Sequence, residues 1–261
     1  MTNVTRVGRV VGLGLVLHFK HLTRSAFDLS VTTMWPIVYA TLAYLMFRAG
    51  SEPETLLLAS LGATVMGIWS VTTVGAADAI QRQRTAGVLE LLVAAPAPFW
   101  AVLLPITIAT SAIGIYSLVS TLLWGRLVFG IPLELEQPLV FVLAIPPTIV
   151  SIGLLGFLMA SVIVRFRAGW AVGNMFEYPV WLVSGLLIPV SLLPGWAEPV
   201  SWALAPTWGM RALSEAAVMG GSPLFDIAMC LLLSALYAVI GAVLLGRFLE
   251  SARRRATLSL T

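Results

Sequence analysis

A chain of 261 residues that is 59% hydrophobic and only 10% charged is not an ordinary soluble domain, which carries about 25% charged residues. So much apolar surface has no single water-soluble core to hide in, so the composition predicts an all-α polytopic membrane protein without a sizeable soluble domain. The net charge of +3 does not point to nucleic acid, because the cations flank apolar runs and form no free basic face.

Residues 4–27 mix apolar residues with Arg6, Arg9, Lys20 and Arg24. At 100° per residue these four cations share an arc of about 60°. Val11, Leu15, Phe19 and Leu22 lie broadly opposite, although Leu13 and Leu17 intrude on the basic side. The pattern predicts an interfacial amphipathic helix whose cationic stripe faces lipid phosphates and water. A cleaved leader is not expected, since the apolar stretch Val10–Leu17 is short and Lys20 and Arg24 follow it.

A first span is expected at 29–47 and, after the polar turn Arg48–Glu54, a second at 55–78, rich in Gly, Ala, Ser and Thr. Charge then interrupts the apolar pattern at Asp78, Arg82, Arg84 and Glu90. Read as a helix starting at Gly87, this stretch puts Val88, Leu91 and Leu92 on one face. A short amphipathic helix over 81–95, between two spans, is a candidate docking element for a soluble partner. The third span, 99–124, should kink near Pro105. A loop over 125–138 leads to the fourth, 138–164, which Pro146 and Pro147 should break.

After the basic turn Arg165–Gly169 comes a fifth span, 170–190, carrying Asn174, Glu177 and Trp181. Asn174 and Glu177 share a face, and a carboxylate two turns into a span is costly. Its pairing with Arg165, Arg167 or a neighbouring chain is favoured over a proton or substrate role. The stretch 191–222 is too apolar for a free loop and too rich in proline for a spanning helix. It predicts a re-entrant or interfacial pair of short helices. Its tryptophans, including Trp196 and Trp202, fit an interfacial belt as well as substrate contact. The sixth span is 226–247. With both termini in the cytoplasm, only Arg48, Arg126 and Arg211 of the 15 cations fall outside, which predicts six spans.

The chemistry of an enzyme is missing. Both histidines, His18 and His21, precede the first span, and no HExxH or CxxC occurs. The single Cys230 supports neither a disulfide nor a metal site. The only lysine, Lys20, is followed by His21, so no Walker A motif is present. No catalytic residue, metal or resident cofactor is expected.

The string QRQRTAGVLELLVAAP at 81–96, followed much later by NMFEYPVWLVSGLLIPVSLLPGWAEPVSWALAPTWGMRAL at 174–213, resembles the ABC-2 type permeases, membrane subunits of bacterial type V exporters. Gln83 stands where that family usually has Glu, and Val88 where it usually has Thr. The later pattern is met by Ser184, Gly185, Pro189, Pro194, Pro206 and Arg211.

The resemblance implies a permease in the bacterial cytoplasmic membrane, paired with an identical or similar permease. A cytoplasmic coupling helix would press into a separate ATPase subunit, present in two copies, that binds ATP and Mg. It points to Arg82, Arg84, Gly87, Val88, Leu89, Glu90, Leu91 and Leu92 as the docking residues. Asn174, Glu177 and Trp181 become candidates for the substrate pathway. Pro189, Pro194, Trp196, Trp202, Pro206 and Arg211 become candidates for an extracellular gate. Substrates would be drugs, antibiotics, lipids or lipid-linked glycans. The competing reading is a proton- or ion-coupled carrier using Glu177, against which the absence of repeated halves counts.

Overall fold

The computed structural model describes residues 3–24, 26–47, 53–85, 87, 98–131, 134–163, 169–186, 190 and 193–255. Among them every regular element is helical. In chain order these are α1 (Asn3–Arg24), α2 (Ala26–Phe47), α3 (Pro53–Thr85), α4 (Trp100–Ala112), α5 (Gly114–Phe129), α6 (Pro138–Ile163) and α7 (Gly169–Val183). Two short helices follow, α8 (Ala197–Trp202) and α9 (Ala205–Ser214), then a π-helical turn (Glu215–Met219) and the long α10 (Pro223–Arg255).

Four helical segments among the described residues are long and apolar enough to cross a membrane: Glu54–Thr73, Trp100–Phe129, Pro138–Val162 and Pro223–Phe248. Thr33–Met46 on α2 is a shorter apolar helix. The protein is therefore a multi-pass membrane protein.

Helix α3 is the hub. Every residue from Ser60 to Ser70 is buried, and α2, α4, α5, α6, α7 and α9 all pack against it. Small residues permit this crowding, because in lipid helices associate through close packing and not through a hydrophobic drive. A Cβ on Gly67 would lie 2.3 Å from Pro36 Cγ, so the proline of α2 seats in a notch on α3. A Cβ on Gly62 would lie 2.1 Å from the Leu186 carbonyl oxygen, just past α7. Gly62→Ala is therefore expected to force these segments apart, at about 1–3 kcal/mol. Thermal unfolding of the purified variant checks this, and an unchanged midpoint would refute the notch.

α1 keeps the amphipathic pattern: Arg9, Lys20 and Arg24 are exposed, while Val11, Leu15, Phe19 and Leu22 are partly buried. Its inner face packs on α4, where a Cβ on Gly14 would touch the Pro105 ring at 3.2 Å. Leu13 and Leu17, on the basic side, are exposed.

Several boundaries differ from the sequence reading, each for a local reason. α3 does not stop at Asp78 but continues through Arg82 and Arg84 to Thr85, because charge ends a membrane span without ending a helix. Gly87 has a φ of 66°. That left-handed conformation makes it a turn residue and not the first residue of a helix.

α4 continues through Pro105 without a break in the helix; the interruption before α5 falls at Ile113, where Gly114 lets Ile68 of α3 approach (2.5 Å from a notional Cβ). α5 extends past Gly125 and Arg126 to Phe129 and ends at the left-handed Gly130, φ 68°. Pro146 and Pro147 do not break α6. Membrane helices tolerate such prolines inside a packed bundle; the carbonyls they free are those of Val142 and Leu143, one turn earlier.

α7 ends seven residues before the expected 190. Gly185, φ 77°, closes it, with Leu186 N–H donating to the Trp181 carbonyl (3.2 Å) and Gly185 N–H to the Leu182 carbonyl (3.4 Å). This is the Schellman pattern, in which a left-handed glycine lets the chain reverse onto its own last carbonyls.

Candidate functional site

The candidate residues fall into three places. In the first, Asn174, Glu177 and Trp181 lie on successive turns of α7, the helix packed against α3. The Asn174 side chain lies outside the described residues. Glu177 is 9% exposed and Trp181 6%. The Ser70 hydroxyl of α3 donates a hydrogen bond to Glu177 Oε1. Tyr39 of α2 lies beside Ser70 and within electrostatic reach of Glu177.

Four aromatic rings of α2 and α7 form a connected run in this region. Trp35 stacks on Tyr39 at 5.9 Å between centroids, Tyr39 meets Trp181 edge-on at 5.4 Å, and Tyr178 meets Trp181 edge-on at 5.3 Å. Two indole N–H groups, Trp69 Nε1 and Trp181 Nε1, and the Thr73 hydroxyl are buried without a hydrogen-bond partner among the described residues.

Arg165 and Arg167, the partners favoured for Glu177 on sequence grounds, lie outside the described residues. Among the described residues the carboxylate has a serine and aromatic rings as neighbours and no ion pair. The sequence reading named Glu177 and Trp181 but missed Ser70, Tyr39, Trp35 and Tyr178. A weak signal existed: Trp35 and Tyr39 stand four apart, on one face of a helix.

The second place is the segment before α10. Pro206 is buried in the first turn of α9, where the missing proline N–H costs nothing. The bend between α8 and α9 is held by Tyr237 of α10, whose hydroxyl donates to the Ala203 carbonyl and accepts from Ala205 N–H at 3.1 Å. Tyr237→Phe would leave both backbone groups without that partner and should cost about 1–3 kcal/mol, read as a lower unfolding midpoint. A midpoint equal to wild type would mean the bend does not depend on this hydroxyl.

Arg211 closes the same region. Its guanidinium lies 5.0 Å from the Trp208 ring centroid, with Glu215 at 3.6 Å and Asp226 at 3.7 Å. The loop before α6 joins in, as Glu136 and Gln137 N–H groups donate to the Ala217 and Ala216 carbonyls of the π-helical turn at 3.1 and 3.0 Å. Pro194, Trp196 and Trp202 are exposed on this segment; the Trp202 carbonyl accepts from Trp208 Nε1 at 2.8 Å. Pro189 lies outside the described residues.

The third place is the end of α3. Arg82 and Arg84 are on its last turns and Gly87 in the turn beyond. Val88, Leu89, Glu90, Leu91 and Leu92 lie outside the described residues. No group of three or more His, Cys, Asp or Glu side chains able to hold a metal occurs among the described residues.

No curated protein matches the chain. A family model does, that of the ABC-2 type transporter, over residues 19–218. The match takes in the α3 hub, the Glu177 cluster and Arg211 with Glu215, and stops short of Asp226. The chain belongs to the ABC-2 type transporter family, and is thus the membrane permease component of an ABC transporter and not itself an enzyme.

Proposed function

We propose that this permease exports a hydrophobic or amphipathic substrate across the bacterial cytoplasmic membrane, driven by ATP hydrolysed on a separate subunit. Family membership carries the reading, since ABC-2 permeases normally work with an ATPase subunit. The lone Lys20, outside any Walker motif, agrees with nucleotide binding on another chain.

In this reading α2 and α7 join the four longer apolar segments as spans, giving six, with both termini cytoplasmic. α1 lies at the inner interface against anionic lipid. Two permeases pair, each engaging an ATPase through the segment 81–95. Helix length supports that assignment. The 33 residues of α3 extend about 50 Å, whereas the hydrocarbon core is roughly 30 Å thick. The apolar window ends at Thr73, so the last turns, with Arg82 and Arg84, reach beyond the lipid. α8, α9 and the π-helical turn form the outer gate, and Glu177, Trp181 and Asn174 line the substrate path. Affinity purification from native membranes tests the reading. Mg-dependent ATP hydrolysis should accompany the intact chain, and a folded permease that never carries an ATPase would count against it.

The buried Glu177 also favours a second reading, a proton-coupled carrier. That reading predicts transport that fails in Glu177→Gln and ignores removal of any ATPase.

A further inference from the structure

We infer that the Glu177 cluster selects hydrophobic monovalent cations, so that the exported molecule is a lipophilic cation and not a neutral or anionic one. The inference rests on the export reading and adds the charge of the substrate to it.

The physical ground is an unbalanced site. A carboxylate on a buried face costs several kcal/mol of desolvation, which a cation or several hydrogen bonds must offset. Glu177 receives one hydrogen bond, from Ser70, and no ion pair among the described residues. The two ion pairs described both belong to Arg211.

The acid sits beside an aromatic run. Trp35, Tyr39, Trp181 and Tyr178 form a continuous ladder, Tyr39 is within electrostatic reach of Glu177, and aromatic faces carry the negative end of a quadrupole that attracts cations. Rings and carboxylate therefore act with the same sign on an incoming charge. A permanent internal cation would satisfy the carboxylate alone and would not need the rings.

The cluster is also reachable. Glu177 and Trp181 are buried and Tyr39 partly buried, but Trp35 is 45% exposed and Tyr178 70% exposed on the protomer surface. The outer rings of the ladder thus lie on an open apolar face. The unpartnered Trp181 indole N–H, one turn from Glu177 on α7, leaves a donor for a polar atom on the same molecule. The ligand class follows: an apolar body that rings can cover, with one positive charge near its centre.

The test is equilibrium binding of a size-matched pair of opposite charge, tetraphenylphosphonium and tetraphenylborate, to the full-length chain in lipid nanodiscs. Wild type should bind the phosphonium saturably and at least about tenfold more tightly than the borate. Glu177→Gln, which keeps the shape and a hydrogen-bond acceptor, should lose about tenfold or more in phosphonium affinity. Glu177→Asp should restore part of it, and Tyr39→Leu should weaken it.

Equal phosphonium binding by wild type and Glu177→Gln, as a neutral buried acid would give, overturns the inference. So does a wild-type chain that fails to prefer the phosphonium, an arm that needs no variant to fold. Binding uses the permease alone, so it is separable from the export reading. Charge-selective binding without ATP-driven efflux would sink the exporter and leave the site. ATP-driven efflux with no charge preference would do the reverse.

Discussion

Exchanging Glu90 for arginine, or Arg84 for glutamate, is expected to reduce ATP-driven transport at least about tenfold while the permease still inserts and pairs. A reversed charge at a docking surface loses an attraction and adds a repulsion, and a loss of ~1.4 kcal/mol is already tenfold. Insertion is spared because these residues lie beyond the apolar window of α3, which ends at Thr73. Stimulation of the ATPase subunit should fall in parallel with transport. Variants that kept both in full would remove residues 81–95 from the docking role. Leu89→Arg, which buries a charge in the same proposed contact, should behave alike.

Arg211→Ala is expected to lower stability by about 2 kcal/mol and to loosen the segment from α8 to α10. The Asp226 side chain is 2% exposed, so removing its partner strands a buried carboxylate, a loss worth about 3–5 kcal/mol in fully buried pairs. The Arg211 side chain is 47% exposed, and water screening lowers that figure. The guanidinium also serves Glu215 and the Trp208 ring. Lysine should rescue only in part, lacking the planar fork that spans two carboxylates and stacks on indole.

A double-mutant cycle makes this specific. Asp226→Asn added to Arg211→Ala should recover stability, because the stranded charge is gone. Thermal unfolding of the four purified proteins reads the result. An Arg211→Ala midpoint equal to wild type would show that the clamp holds nothing.

Much of this architecture is legible in the residues. Composition excludes a soluble domain, and the exposed Arg9, Lys20 and Arg24 against partly buried Val11, Leu15, Phe19 and Leu22 follow from helical periodicity alone. Prolines on both sides of Trp196 and Trp202 foretell short helices there, because proline starts helices and cannot continue them. The errors share a cause. The Pro146–Pro147 pair reads as a break, Asp78 as the end of an apolar run and Pro105 as a kink, yet each helix runs on past them. Charge marks the edge of lipid, not the end of hydrogen bonding. A proline in a packed bundle is tolerated where a neighbour has room for it, as Gly14 does for Pro105 and Gly67 for Pro36.

The candidate site shows the same divide. Glu177 stands out in a list of residues because a lone acid in an apolar run is costly. Its company does not. Ser70 is 107 positions away, and hydroxyls are frequent on α3, so nothing local marks Ser70 above Thr72 or Thr73. Packing of α7 on α3 selects it. Nor does the sequence say that Gly62 faces the end of α7, which depends on the left-handed turn at Gly185.

Transport into inside-out membrane vesicles carrying the permease and its ATPase separates an ATP-driven exporter from a proton-coupled carrier. An ATP-driven exporter accumulates substrate only with hydrolysable ATP and the ATPase's own Walker lysine, and its accumulation survives collapse of the proton gradient by a protonophore. Accumulation that persists without ATP, and stops with the protonophore or with Glu177→Gln, would contradict the exporter reading and make the protein a proton-coupled carrier.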